Sequence, residues 1–110
     1  MLENTYTLEN GIKIPKLGLG TWFIDDSEVA EAVREAVKIG YRMIDTAQAY
    51  GNERGVGEGV RTCGIPREDL FVVSKVAAEH KTYEQAMAGI DETLKKMELY
   101  YQDFCRVFAF

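Results

Sequence analysis

The chain alternates between two hydrophobic rhythms, and the switches between them mark its elements. Near the N-terminus, "YTLENGIKIP" is two short alternating runs either side of Asn10-Gly11. That dipeptide favours a tight turn with φ > 0, so a β-hairpin is predicted across Tyr6–Ile14, ended by Pro15. "KLGLG" then reads as a buried strand over Lys16–Gly20. A helical period follows in "DDSEVAEAVREAVKIG": Val29, Ala32, Val33, Ala36 and Val37 share a face. Asp25, Asp26 or Ser27 can cap its start and Gly40 its end. "YRMID" is a second strand, Tyr41–Asp45.

A helix from about Asn52 to Arg61 places Val56, Val60 and Cys63 together, although Gly57 and Gly59 inside it each cost about 1 kcal/mol relative to alanine. "IPRED" is a turn, and the unbroken apolar run "LFVVSKV" suits a strand buried on both faces. In "TYEQAMAGIDETLKKM", Thr82 and Gln85 form a capping box, and Tyr83, Met87, Ile90, Leu94 and Met97 make an apolar stripe. A strand-like "YQDFCRVFAF" follows. The order, a hairpin then β-α-β-α-β-α-β, implies parallel strands with right-handed crossovers. Either a doubly wound sheet or part of a (β/α)8 barrel satisfies it.

Composition narrows the setting. A hydrophobic share of 46% and a charged share of 28% describe a folded chain, and 110 residues suit one domain, 1–110. A net charge of −5 without a basic stripe argues against nucleic acid. "MLENTYTLEN" lacks the pattern of a signal peptide, and no apolar run approaches the roughly 20 residues that cross a bilayer, so a cytoplasmic protein with no membrane partner is expected. Cys63 and Cys105 are too few for a disulfide framework and lack ligand spacing, so no metal site is expected. His80, the single histidine, reads as a solvated loop residue. "GVGEGV" follows a loop and lacks the third glycine of a dinucleotide motif.

In parallel α/β folds, chemistry gathers at the C-terminal ends of strands. Asp45 and Lys75 end two strands, while Trp22 and Tyr50 lie just beyond strand ends. A tyrosine is a poor acid near neutrality unless its anion is stabilised, as an adjacent ammonium would do. Asp, Tyr and Lys together would make a proton donor. Equally, Asp45 and Lys75 could be a structural ion pair and Tyr50 a surface aromatic.

"LGLGTW", "GYRMIDTAQAYGNE" and "LFVVSK", in this order and spacing, resemble the aldo-keto reductases, and the hairpin resembles the one that plugs the bottom of that family's barrel. The resemblance, from about Tyr6 to about Leu99, implies the N-terminal part of a (β/α)8 TIM barrel: an α/β fold of four parallel strands and three helices behind a hairpin plug. It implies reduction of a small-molecule aldehyde or ketone with NADPH. Tyr50 would be the general acid, Lys75 the lysine that lowers its pKa, and Asp45 the lysine's partner. Gly20, Thr21 and Asp45 would lie by the cofactor, and Trp22 would wall the substrate pocket.

Two departures bear on activity. Where the family pattern has a histidine that orients the carbonyl, alignment through Leu99, Tyr101 and Asp103 puts Phe108, and Arg106 is unusual within a buried strand. A full barrel takes roughly 250 residues, so the chain is expected to be truncated, to lack much of the NADPH site and to be inactive alone. The alternative is a non-catalytic half-barrel whose open edges pair with a second copy or another half-barrel. A further alternative is a by-product of truncation with no folded function.

Overall fold

The computed structural model describes residues 4–76 and 83–99, with the backbone of 104–107. The first strands, β1 (Thr5–Thr7) and β2 (Lys13–Pro15), form an antiparallel hairpin with Tyr6 opposite Ile14. The turn between them is not the two-residue loop that Asn-Gly favours. The Gly11 N–H donates to Leu8 O (2.9 Å), the Leu8 N–H donates to Ile12 O (2.8 Å), and only Gly11 has positive φ, at 83°. This is a three-residue loop with a bulge at glycine. Pro15 does not end the pairing: it faces Thr5, and the Lys16 N–H continues to Asn4 O (3.0 Å). On so short a ribbon the missing proline N–H can point to the unpaired side.

Beyond the hairpin, β3 (Leu19–Gly20), β4 (Met43–Asp45), β5 (Phe71–Val76) and β6 (Phe104–Val107) form a wholly parallel sheet in the order β3-β4-β5-β6. The crossovers are α1 (Val29–Ile39), α2 (Glu53–Thr62) and α3 (Tyr83–Met97). β3 and β4 are shorter than the apolar runs predicted, because only their last residues pair. One face of the sheet carries Leu19, Ile44 and Val72 into a core with Val29, Val33, Val37, Val56, Val60, Leu70 and Met97. Burying each such side chain contributes about 1.5–3 kcal/mol. The other face, with Gly18, Gly20, Met43, Asp45, Val73 and Lys75, lines an open trough of about 400 Å³ that Ile14 of the hairpin also borders. This is the α/β architecture of the N-terminal part of a (β/α)8 barrel.

Helix termini use different groups from those the pattern suggested. No side chain caps α1; the Asp25 carbonyl accepts from the Glu28 and Val29 N–H groups, both at 2.9 Å. Gly40, at φ 126°, does close it: its N–H donates to Val37 O (3.1 Å) and the Tyr41 N–H to Ala36 O (2.9 Å).

The glycines of α2 are contact surfaces. A Cβ on Gly55 would strike Asp26 O and Val29, one on Gly59 would lie 2.7 Å from the Val33 Cβ, and one on Gly57 would strike the Met97 backbone. Gly55 and Gly59 admit α1 while Gly57 admits the end of α3. The helix cost of glycine is therefore offset by close packing.

The stripe predicted on α3 is displaced. Tyr83 and Met87 are exposed, whereas Gly89, Thr93 and Met97 are buried, with Ile90 and Leu94 half-buried. The inward stripe is thus narrower and more polar, because Gly89 and Thr93 meet a polar partner described below. Thr82, His80, Phe108 and the side chains of Cys105 and Arg106 lie outside the described residues.

Candidate active site

β4 and β5 are neighbours in register, Asp45 facing Val73, so Lys75 stands two residues further along at the same end of the sheet. Its side chain, 10% exposed, bends back to Asp45. Lys75 Nζ donates to Asp45 Oδ1 at 2.6 Å, to Thr46 O at 3.1 Å and to the Tyr50 hydroxyl at 3.3 Å. The same ammonium lies 5.1 Å from the centroid of the Tyr50 ring, within cation–π range.

Tyr50 reaches this point through a short 3-10 turn, Gln48–Tyr50, closed by Gly51. Thus Asp45, Tyr50 and Lys75 meet, and Tyr50 is half-buried rather than a free surface aromatic. A desolvated ammonium flanked by a carboxylate and a phenol can balance negative charge on the phenol oxygen. Coulomb attraction at such distances is several-fold stronger than in bulk water.

The β3–α1 loop forms the adjacent wall. Thr21 is fully buried, and both its N–H (3.1 Å) and its hydroxyl (3.0 Å) donate to Asp45 O. Its hydroxyl is therefore committed to the end of β4. Gly20 has open space where a Cβ would stand. Trp22 and Phe23 project outward, 65% and 84% exposed, with rings stacked 4.3 Å apart, and Phe23 adopts φ 67°.

Sequence reading missed the polar groups behind these residues. Asn52 is fully buried. It accepts from the Thr46 hydroxyl (2.8 Å) and donates to Thr21 O (2.8 Å) and Ile24 O (3.0 Å). The Ser74 hydroxyl donates to Glu53 Oε2 at 2.6 Å in the layer between sheet and helices. Gln48 donates to Gly89 O (2.9 Å) and the Thr93 hydroxyl (3.1 Å), tying the Tyr50 turn to α3. Asp26 accepts from Arg54 (2.7 Å) and the Gly55 N–H (2.7 Å). Burial pushes its carboxyl up, but the hydrogen bonds from Arg54 and Gly55 and the Arg54 charge outweigh this and hold it below its ordinary value. The signal for Asn52 was its place between a strand end and a helix, where an asparagine reads as an ordinary cap.

Among the described residues no group of three metal-ligating side chains occurs, and no helix is long and apolar enough to cross a membrane.

The chain is similar to known proteins in sequence and fold. The chain is 46% identical over 101 residues to a 9,11-endoperoxide prostaglandin H2 reductase of Trypanosoma cruzi (strain CL Brener), covering 91% of this chain and 36% of that protein. It is 43% identical to a glyoxal reductase of Bacillus subtilis (strain 168), covering 93% and 37%. Its fold superposes on the crystal structure of an aldo/keto reductase from Brucella melitensis with a TM-score of 0.90 at 42% identity, covering 94% of this chain and 40% of that one. The chain therefore spans little more than a third of the length of these curated relatives. A family model described as "Aldo/keto reductase family" matches residues 16–107, which is most of the chain. On the strength of that match, the chain belongs to the aldo/keto reductase family.

Proposed function

We propose that this chain carries the proton-donating part of an NADPH-dependent carbonyl reductase acting on small aldehydes or ketones. One observation supports this above the rest: Lys75 Nζ lies 2.6 Å from Asp45 Oδ1 and 3.3 Å from the Tyr50 oxygen at the C-terminal end of a parallel sheet. That end of a (β/α)8 barrel is where its active sites are built.

In this reading Tyr50 donates its hydroxyl proton to the carbonyl oxygen as that oxygen gains charge. Lys75 balances the phenolate left behind, and Asp45 holds the ammonium in place. General acids of this kind contribute about 10²–10⁴-fold to a rate.

The residues present suit a nicotinamide cofactor. Gly20 leaves open space beside the trough, and the Asp45 carboxylate, 37% exposed, offers its second oxygen. Gly20 and Asp45 would hold its reactive end, with Thr21 fixing the loop between them and Trp22 walling the substrate. When bound, NADPH supplies the hydride that the carbonyl carbon accepts.

The choice of NADPH, the cytoplasmic setting and a single partial-barrel domain over 1–110 all follow from the family resemblance and the composition. So does the further proposal that residues 1–110 alone are inactive, since they span little more than a third of the curated relatives. A second reading rests on the sheet itself: β3 and β6 each have one strand neighbour among the described residues. Such edges could pair with a second copy to make a non-catalytic assembly. Sedimentation of a strictly monomeric, folded chain would rule it out.

The test of the primary reading is aldehyde-dependent oxidation of NADPH by a complete (β/α)8 barrel carrying residues 1–110, with and without Tyr50→Phe. The substitution is expected to lower turnover at least about 100-fold. An unchanged rate would remove Tyr50 from the role.

A further inference from the structure

Asn52 occupies the N-cap of α2, a position where asparagine ordinarily accepts a hydrogen bond from the first turn of its own helix. Here it makes no such bond. The service comes from across the structure: Asp26, in the β3–α1 loop, accepts from the Gly55 N–H in the first turn of α2. Asn52 in return spends both amide hydrogens on that loop, donating to Thr21 O and Ile24 O, while its oxygen accepts from Thr46. The two segments are thus tied by reciprocal side-chain bonds.

Between the two carbonyls held by Asn52 lie Trp22 and Phe23. Phe23 sits in the left-handed region at φ 67°, which costs a non-glycine residue energy and persists only where its surroundings over-determine it. The Ile24 N–H closes the turn on Thr21 O at 3.1 Å, and an external clamp on the Thr21 and Ile24 carbonyls adds to that bond. Asn52 is that clamp, and it is shared with the catalytic strand. Thr46, which donates to the Asn52 oxygen, presents its carbonyl to Lys75 Nζ. Thr21, whose carbonyl Asn52 holds, is itself bonded twice to Asp45 O.

We infer that Asn52 is a positioning residue: its buried side chain sets the Trp22–Phe23 turn in fixed relation to the Asp45–Tyr50–Lys75 group. The consequence for turnover rests on the function proposed above; the clamp itself does not.

Native-state hydrogen exchange on the intact chain tests the clamp without substrate. Asn52→Asp keeps the size and the bond from Thr46, but it puts oxygen where the amide hydrogens were, facing two carbonyls. Aspartate also remains a good N-cap, so the helix start is preserved. The expected result is a loss of protection at the Thr21 and Ile24 amides roughly tenfold to hundredfold greater than any loss at β5 amides. No loss at those amides, or an equal loss throughout β5, would overturn the inference.

Should the variant fail to fold, the unsubstituted chain decides. Its Asn52 side-chain amide hydrogens must exchange more slowly than those of exposed Asn10, and equal exchange would refute the clamp. If Tyr50→Phe leaves carbonyl reduction intact, the proposed function fails, while the exchange profile still judges Asn52 on its own.

Discussion

Replacing Gly57 with alanine tests the packing of this half-barrel against the ordinary rule for helices. Helix propensity alone expects Gly57→Ala to stabilise α2 by about 1 kcal/mol. The surroundings point the other way. A Cβ at Gly57 would meet the carbonyl oxygen, Cα and carbonyl carbon of Met97. A flexible side chain could rotate aside, but this neighbour is backbone. It can move only if the last turn of α3 moves, taking with it the fully buried Met97 side chain and the bond from Arg61 Nε to Met97 O at 3.2 Å. Overpacking costs typically 1–3 kcal/mol, and a rigid obstacle puts this case near about 3.

The net effect of Gly57→Ala is therefore a loss of about 2 kcal/mol, equivalent to a fall in Tm of about 8 °C for a domain of this size. The assay is thermal and urea unfolding followed by circular dichroism. Glu58→Ala, one position along, serves as the control: its ion pair with Arg54, at 3.9 Å, is a long surface contact worth little. A Tm for Gly57→Ala equal to or above that of the parent would refute the packing argument and restore propensity as the deciding effect.

Other perturbations follow from the same geometry. In a complete barrel carrying this segment, Lys75→Met should abolish the charge balance at Tyr50 and lower NADPH-dependent carbonyl reduction by about 100-fold or more, measured as kcat. Thr46→Val leaves the buried Asn52 oxygen without its donor and should destabilise by about 1–3 kcal/mol in urea unfolding. The Asp26 carboxyl is held below its ordinary value, so its contribution is present at neutral pH and is lost as pH falls through and below about 3.9, the unfolded value. Asp26→Asn should flatten that acid limb in a pH series of melting temperatures. The effect is modest because the group is partly exposed, and an unchanged limb would remove Asp26 from the clasp.

The order of elements was legible in the chain because each burial pattern is local. Alternation in "YTLENGIKIP", a 3.6-residue period in "VAEAVREAVKI" and a continuous apolar run in "LFVVSKV" each report which faces are covered. Asp45, Tyr50 and Lys75 were legible for a related reason: strand ends in parallel sheets share one edge, so residues far apart in sequence could be assigned to one place. The α3 stripe was misjudged at Tyr83 and Met87 because periodicity shows which residues could be buried but not where the neighbouring layer stops. Both lie on exposed turns of that helix.

Sequence by itself thus determined the parallel α/β plan and the three residues that meet at its edge. Tertiary structure alone decided what the glycines of α2, Asp26, Gln48 and Asn52 are for. The glycines read as a weak helix and Asp26 as a candidate cap of α1, while Gln48 and Asn52 carried no reading of their own. Yet Asn52 bonds a residue 31 positions away, Asp26 one 29 away and Gln48 one 41 away. Hydrogen bonds and close backbone approaches across such separations depend on how the layers come together, and no local period in the chain encodes them.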